Sequence, residues 1–366
     1  MRILLRISFA LIVLILIQTC ITKQPQATVE ETHLMLTAME KMGKEYSKPR
    51  LVYGEMVINI DEIRAWSKDS VAAFRSLHAI PEDAEPIMQI WSASIKDHWT
   101  QRLLAPTTLE TEPSLAYTEP MYGNRILYWE LPDSTLNTYP IRLKKTFKYL
   151  TFDYRPRINE WVEGANWSEI PGDISKKYTR SETFLEQDQA LIDTVHSILL
   201  GISNPVQKAR KIYDWVQATM TYVYPPHERG VRDAFDSREG DCGQYTALFI
   251  TMARIAGIPA RQQSGFNFYP GNTGAHVWSQ IYLPIKGWVP VDATREDGFL
   301  HLDNGRIITS VGLNIPLEPV PEWASFAFSE VEDDRTDFMQ MYTLLNFGLS
   351  ARISTERTII RSIELD

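Results

Sequence analysis

The segment from Cys242 to Ala256 constrains the fold most, because it carries a helical pattern with well-defined ends. Its apolar residues recur at spacings of three and four, which is typical of a helix with one buried face. The members of this stripe are Tyr245, Leu248, Phe249, Met252 and Ala256. Asp241 suits the N-cap position, and Gly257 and Pro259 end the helix. The sequence therefore predicts a helix with Cys242 in its first turn.

A thiol in the first turn of a helix is well placed for nucleophilic chemistry. The unpaired backbone N–H groups and the positive end of the helix dipole favour an anion, so the thiol should lose its proton more easily. The same N–H groups point at the carbonyl that the sulfur would attack, which supplies half of an oxyanion hole. The alternative is a small buried cysteine that only packs the helix. On this segment alone, both interpretations stay open for Cys242.

Two short segments that follow the helix predict a β-hairpin. Residues 275–283 have an apolar side chain at every second position and begin near His276, and residues 288–292 return after a turn. Pairing the two brings Asp292 opposite the His276 region, and an even separation lets both side chains share one face. A carboxylate beside an imidazole fixes its tautomer and stabilises its protonated form. For His276 taken alone, a structural role is the alternative.

Together the three segments resemble the transglutaminase-like superfamily. The motifs that carry the resemblance are CGQYTAL at 242–248, AGIPAR at 256–261, HVW at 276–278, GWVPVDAT at 287–294 and the lead-in helix KARKIYDWV at 208–216. The likeness covers about residues 183–295. It implies a papain-like α+β fold with Cys242, His276 and Asp292 as a catalytic triad. In that chemistry the sulfur forms a thioester with a carboxamide or peptide carbonyl while the imidazole moves the proton.

The resemblance leaves the acyl acceptor open. An amine acceptor would make the protein a transglutaminase, and water would make it a peptidase or amidase. We slightly favour hydrolysis, because nothing in the sequence identifies a second channel for a lysine amine. Papain-type enzymes complete the oxyanion hole with a glutamine shortly before the cysteine, and residues 236–239 offer none. Trp215 or Tyr222 could replace it, although core packing is the expected role of both.

A non-catalytic binding or assembly module that keeps this fold is the alternative function. The three groups weigh against it, since a module without chemistry has no physical need for all of them. A third hypothesis is that the N-terminal aromatic residues bind a glycan or peptide on which the thiol domain acts. These aromatic residues are Tyr122, Tyr128, Trp129 and Tyr139. Aromatic residues at strand spacing are more often core.

The N-terminus predicts export. Arg2 and Arg6 precede an apolar run at residues 7–17, which suits a secretory signal better than a membrane-spanning helix. Cys20 stands where a bacterial lipoprotein signal carries its acylated cysteine, which would attach the chain to a membrane. Residues 17–19 depart from that pattern, and an uncleaved signal anchor is the alternative. We expect a periplasmic or cell-surface protein without an internal disulfide, because export removes or modifies Cys20 and leaves Cys242 alone.

The remaining patterns divide the chain into a signal peptide (1–20), a helical and β-rich region (25–182), a catalytic domain (183–296) and a β-rich C-terminal extension (297–366). In the second of these, we expect helices near residues 30–42, 61–77 and 83–104, and strands between residues 114 and 155. Further on, helices are expected at 183–200 and 205–220, and a loop at 222–238.

Composition and charge exclude some classes of protein. Of the 366 residues, 44% are hydrophobic and 23% are charged, which disfavours a wholly disordered chain. The net charge is −9 and the basic residues are scattered, so a nucleic-acid partner is not expected. The protein or peptide substrate is implied by the resemblance to the transglutaminase-like superfamily. The histidines show no paired ligands at helical spacing, so we predict neither a metal site nor a cofactor. His227 and His301 are expected on the surface.

Overall fold

The computed structural model describes residues 27–95, 97–134, 140–157, 170–269, 271–284, 286–331, 334–337, 339 and 341–365. The predicted signal peptide with Cys20, as well as Tyr139, lies outside these residues. Within the described ranges, no helix is both long and apolar enough to cross a membrane.

Helices and strands are mixed along the chain. The helices are α1 (Val29–Glu40), α2 (Lys68–Leu77), α3 (Gly172–Tyr178), α4 (Gln189–Ile198), α5 (Pro205–Thr219), α6 (Val231–Ser237), α7 (Cys242–Ile255) and a 3-10 turn (Glu322–Ala327). The strands of the first half are β1 (Tyr46–Ala65), β2 (Ile87–Ala93), β3 (Gln101–Leu103), β4 (Thr108–Leu109), β5 (Leu115–Thr118), β6 (Arg125–Pro132) and β7 (Ile141–Tyr154). Those of the second half are β8 (Thr221–Tyr222), β9 (Glu239–Gly240), β10 (Ala260–Asn267), β11 (Ala275–Leu283), β12 (Gly287–Val291), β13 (Arg306–Val311), β14 (Ile315–Pro316), β15 (Ser329–Val331), β16 (Asp334–Asp337), β17 (Thr343–Phe347) and β18 (Leu349–Glu364).

The long strand β1 organises the N-terminal region. It pairs antiparallel with β7 on one side and with β18 on the other, in a sheet of order β18–β1–β7–β3. A second sheet of order β17–β2–β6–β5 packs against it. The shared apolar core consists of Ile58, Ile60, Ile63, Met88, Ile90, Leu127, Trp129, Leu131, Leu143 and Leu349. Strands from both ends of the chain therefore build these two sheets.

Two of the three helix predictions for this region are wrong, one in part and one completely. The helix expected at 61–77 begins only at Lys68, after an N-cap at Ser67, because β1 continues to Ala65. Residues 83–104 contain β2 and β3 instead of a helix. Nearly every side chain of the run Ile87–Ala93 is buried. The periodicity of apolar residues cannot distinguish such a buried strand from a buried helix. The helix expected at 30–42 is confirmed as α1.

Helix α7 packs on an antiparallel sheet of order β12–β11–β10–β13, which gives this part of the chain its α+β fold. Its predicted N-cap and C-terminal end are confirmed, with Asp241 as the cap and Ala256 at the C-cap. Apolar side chains of α7 meet the strands in one core. They include Leu248, Phe249 and Met252 from the helix and Ile281, Leu283, Val289 and Val291 from the sheet.

The predicted hairpin is confirmed as β11 and β12, with Ser279 opposite Val291. On the other side of β11, His276 pairs with Gly265 of β10. A Cβ at Gly265 would come within 1.8 Å of the Ile307 carbonyl oxygen, so only glycine allows β13 to approach this closely.

Of the three segments before the hairpin, one matches its prediction and two differ from it. Helix α5 begins at Pro205 as expected, with Asn204 as its N-cap, whereas α4 begins later than expected, at Gln189. The segment expected as a loop at 222–238 contains helix α6.

Candidate active site

Cys242 is the first residue of α7 and is buried. The carboxylate of Asp241 caps the helix, since its Oδ1 accepts hydrogen bonds from the backbone N–H groups of Gly243 at 2.8 Å and Gln244 at 3.4 Å. Arg229 Nη1 in turn donates to both Asp241 oxygens at 2.9 and 2.8 Å. These contacts fix the start of the helix and hence the position of the thiol.

His276 and Asp292 form a buried pair at the end of the hairpin. His276 Nε2 lies 2.8 Å from Asp292 Oδ2. The other carboxylate oxygen, Oδ1, accepts from the backbone N–H of Thr294 at 3.1 Å and from its hydroxyl at 2.6 Å. Arg306 Nη2 donates to Oδ2 at 2.9 Å. The carboxylate is therefore held by donors from three segments of the chain.

The charges of this pair depend on each other. Burial alone would lower the pKa of His276, but the carboxylate of Asp292 outweighs it and raises that pKa to about 9. Burial alone would raise the pKa of Asp292, but His276 and then Arg306 hold it well below its ordinary value. At neutral pH the pair is thus an imidazolium beside a carboxylate. Arg306 acts on His276 in the opposite sense and lowers its pKa.

The structure brings the three predicted residues together. The Cys242 side chain interacts with the His276 ring, and this contact also raises the pKa of the imidazole. Trp278 stacks on the same ring, with centroids 5.9 Å apart and an interplanar angle of 21°. Trp278 Nε1 donates to Gln263 Oε1 at 2.7 Å, which fixes the indole. The imidazole is therefore held between a carboxylate, an indole and a thiol.

Tyr222 lies beside the thiol, although it was expected in the core. Tyr222 is 55% exposed, and its backbone pairs with that of Gly240, two positions before Cys242. Partial burial and the nearby Cys242 and Asp241 raise the pKa of Tyr222 to about 12, and its phenol lies next to the Cys242 backbone N–H. The phenol therefore keeps its proton at neutral pH. Trp215, the other aromatic considered, packs at the edge of the helical core.

Sequence reasoning missed Arg306 and Thr294. Thr294 carries a signal, because an aspartate carboxylate often accepts a hydrogen bond from the backbone N–H two residues further along the chain. Arg306 carries none, because its place beside Asp292 depends on how β13 pairs with β10.

The expected surface position of His301 is wrong. The residue is 5% exposed, and its Nε2 lies 3.1 Å from Asp153 Oδ2 while Nδ1 lies 3.0 Å from the Asp297 carbonyl oxygen. His227 is confirmed on the surface. Among the residues that the structure describes, no group of three or more His, Cys, Asp or Glu side chains is arranged to hold a metal.

Residues 192–293 match the family model of the transglutaminase-like superfamily. This segment, the transglutaminase-like domain, has the fold of that superfamily. A crystal structure of a candidate cysteine protease from Cytophaga hutchinsonii is similar over 86% of this chain and 93% of that chain, with a TM-score of 0.57 and 15% identity. At that identity the likeness shows a shared fold.

Two bacterial relatives align with parts of this chain. The uncharacterized protein YebA of Bacillus subtilis is 22% identical over 147 residues, which cover 33% of this chain and 20% of the relative. A protein-glutamine gamma-glutamyltransferase of Pseudomonas aeruginosa is 36% identical over 87 residues, which cover 21% of this chain and 13% of the relative. The chain therefore spans a fifth or less of the length of these two relatives.

Proposed function

We propose that the transglutaminase-like domain is a thiol acyl-transfer enzyme that acts on protein or peptide amides. In this proposal Cys242 is the nucleophile, His276 is the general acid and base, and Asp292 orients the imidazole. The observation that carries the proposal is the buried His276–Asp292 pair at 2.8 Å with the Cys242 thiol against the same ring. A purely structural cysteine needs no charged partner of this kind.

The geometry supports a two-step reaction. Because Nε2 of His276 faces Asp292, Nδ1 is the nitrogen left for the thiol. The sulfur of Cys242, as the thiolate partner of the His276 imidazolium, forms a bond to the amide carbonyl carbon. The imidazolium then gives its proton to the departing nitrogen as the C–N bond breaks, which leaves a thioester and a neutral imidazole. The acceptor, water or an amine, loses a proton to the imidazole as it attacks the thioester, and the sulfur leaves as a thiolate.

The oxyanion of the first step needs donors at the start of α7. The backbone N–H groups of Gly243 and Gln244 are already used by the Asp241 cap, which leaves that of Cys242, now bonded to the oxygen of the Tyr222 phenol. We propose the phenol of Tyr222 as the second donor. Two observations support this role. The phenol lies beside the Cys242 N–H, and the raised pKa of Tyr222 keeps the phenol protonated.

Both acyl acceptors remain compatible with this chemistry. One relative is named as a glutamyltransferase, and the similar crystal structure as a candidate cysteine protease. Our proposal favours hydrolysis slightly, for the reason given by the sequence. The alternative is a non-catalytic binding or assembly module, and the cost of burying an imidazolium and a carboxylate that do no chemistry weighs against it.

Mass spectrometry of the full chain after incubation with glutamine-containing peptides and a primary amine tests the proposal. We expect an acyl adduct on Cys242, and products that are free acids for hydrolysis or amine conjugates for transamidation. Cys242→Ala should give neither. Met252→Leu, a volume-conserving change on the same helix, should leave both unchanged. If the wild type and Cys242→Ala give the same spectra over a varied peptide library, the enzyme assignment is wrong.

We also propose that the chain is exported, with its mature form starting at or after Cys20. The support is the basic and apolar pattern of residues 1–17. Sequencing of the mature N-terminus tests this, and Cys20→Ala should change membrane association if a lipid is attached. An intact N-terminus recovered from the cytoplasm would contradict the proposal.

A further inference from the structure

An open cavity of about 700 Å³ lies where the N-terminal β region meets the sheet of the transglutaminase-like domain. From the domain side, it is lined by Arg261 of β10 and Trp288 of β12. Arg261 is opposite Gln280, whereas His276 is opposite Gly265, four residues further along β10. That separation corresponds to about 13 Å along a strand. The cavity is therefore distinct from the proposed thiol site.

Arg261 is a partly buried cation without a counter-ion. Its Nε donates to the neutral Gln280 Oε1 at 2.8 Å, and its guanidinium carbon lies 3.8 Å from the centroid of the Trp288 ring. In the described part of the chain, no carboxylate pairs with it, and burial lowers its pKa. Gln280 Nε2 beside it is buried without an acceptor among those residues. The guanidinium therefore gives this part of the cavity lining a positive charge that no carboxylate of the described residues neutralises, which an anionic ligand would compensate.

Aromatic rings of the N-terminal β region also line the cavity. Trp99 packs edge-on against Tyr154 at 4.5 Å between centroids, and the Tyr46 ring lies 5.0 Å from that of Tyr154. All three line the cavity. Such rings contribute apolar surface for the body of a ligand, while a few polar groups fix its orientation.

The other charges at the cavity leave Arg261 as its main anion-binding group. Lys286 Nζ is bonded to Glu45 Oε1, so these two charges compensate each other. Asp97 accepts a hydrogen bond from the backbone N–H of Leu103 through its Oδ1. His98 Nε2 is bonded to Gln263 Nε2 at 3.1 Å. Asp97 would exclude a ligand that carries several negative charges, which favours a single carboxylate.

We infer that this cavity binds a small organic carboxylate with an aromatic or apolar body, and that Arg261 is its counter-ion. The inference does not depend on the proposed acyl transfer. It assigns a second ligand site to the region between the N-terminal sheets and the transglutaminase-like domain.

Calorimetry with three probes tests the site on the full chain. N-acetylphenylalanine represents a peptide C-terminus, 3-phenylpropionate represents a simple aromatic acid, and N-acetylphenylalaninamide lacks the charge. We expect at least one of the carboxylates to bind at least tenfold more tightly than the amide. Which of the two binds more tightly identifies the source of the carboxylate. Arg261→Gln should remove this preference, and Arg210→Gln, on an exposed helix face, should keep it.

Two more variants keep the test decisive. Cys242→Ala should bind the carboxylates like the wild type, which separates this site from the thiol site. If Arg261→Gln does not fold, Trp99→Leu should still weaken binding of the favoured carboxylate severalfold through the loss of an aromatic ring. Equal affinity for acid and amide, unchanged binding in Arg261→Gln, or no binding of either carboxylate to the wild type at millimolar concentration would overturn the inference.

Discussion

His276 Nε2 lies 2.8 Å from Asp292 Oδ2, and Arg306 Nη2 lies 2.9 Å from the same oxygen. One carboxylate oxygen therefore faces both an imidazolium and a guanidinium. Asp292 raises the pKa of His276, and Arg306 lowers it. The charge of the imidazole thus depends on two neighbours that act in opposite directions, and each can be changed separately.

The alkylation of Cys242 should report the charge of His276. The imidazolium attracts anionic iodoacetate but not neutral iodoacetamide, so the ratio of the two rates should be high while His276 is protonated. Because the pKa of His276 is raised to about 9, the ratio should stay high below pH 9 and fall as the pH rises through it. Mass spectrometry of Cys242 between pH 5 and pH 10 measures both rates.

His276→Ala should abolish the pH step and slow the reaction with iodoacetamide at pH 6. Rates equal to those of free cysteine would indicate a structural thiol.

Asp292→Asn should move the pH step in the alkylation ratio below 9. The amide can still orient the imidazole, but it no longer stabilises the positive charge. We expect turnover to fall by about 100-fold or more, since general acid–base catalysis is worth about that much. Circular dichroism should show an intact fold. Asp214→Asn, on the exposed face of α5, is the matched control and should leave both readouts unchanged. A pH step that stays at 9 would contradict the assignment of Asp292.

Arg306→Gln should move the same pH step above 9, opposite to Asp292→Asn. Removing the guanidinium takes away a charge that lowers the pKa of His276. The variant should also lose about 3 kcal/mol of unfolding free energy, because the Arg306–Asp292 ion pair is buried and its carboxylate keeps only the imidazole as a charged partner. Urea denaturation and the alkylation profile measure the two effects. A loss of stability with an unmoved pH step would mean that Arg306 only supports the fold.

Local patterns made the candidate site predictable. The N-cap at Asp241, the apolar stripe of α7 and the alternation of β11 and β12 are all encoded within a few residues of each feature. Each local element agrees with the fold around it, and for such segments a pattern in the sequence is sufficient. The placement of Cys242 and His276 follows from these elements.

Contacts between distant segments were not predictable. His301 is buried because Asp153 reaches it from 148 residues away, and no local pattern indicates that contact. β1 lies between β7 and β18, so its pairing involves the other end of the described chain. The apolar run Ile87–Ala93 fits a buried helix as well as a buried strand until its neighbours β6 and β17 are known.

Tyr222→Phe should lower kcat by about 100-fold with little change in KM, because an oxyanion donor acts mainly in the transition state. Steady-state kinetics on a glutamine-containing peptide that the mass-spectrometric assay shows to be a substrate measures the two constants. Tyr224→Phe, two positions further on and 75% exposed, is the matched control and should behave like the wild type. If Tyr222→Phe raises KM alone, the phenol contacts the substrate in its ground state rather than the oxyanion.

Lys145 makes the stability of the N-terminal sheets depend on pH. Its side chain is fully buried in β7, where Nζ donates to Ser92 Oγ at 2.7 Å and to the Ala93 carbonyl oxygen at 2.9 Å. In the described residues no carboxylate pairs with it, and burial lowers its pKa to about 7 from the model-peptide value of 10.5. Between these values the unfolded chain holds a proton that the folded chain has released.

The unfolding free energy should therefore rise with pH above 7, by about 1.4 kcal/mol per pH unit, and be independent of this group below 7. Lys145→Met should remove this slope, because the apolar side chain has no proton to lose on folding. Urea denaturation of both proteins at intervals from pH 6 to pH 9.5 gives the difference in free energy, in which the other titrating groups cancel. We expect the advantage of the methionine variant to shrink steadily between pH 7 and pH 9.5. A difference that stays constant over that range would show that Lys145 is protonated in the folded protein, with its charge stabilised by Ser92 and the carbonyl oxygen of Ala93.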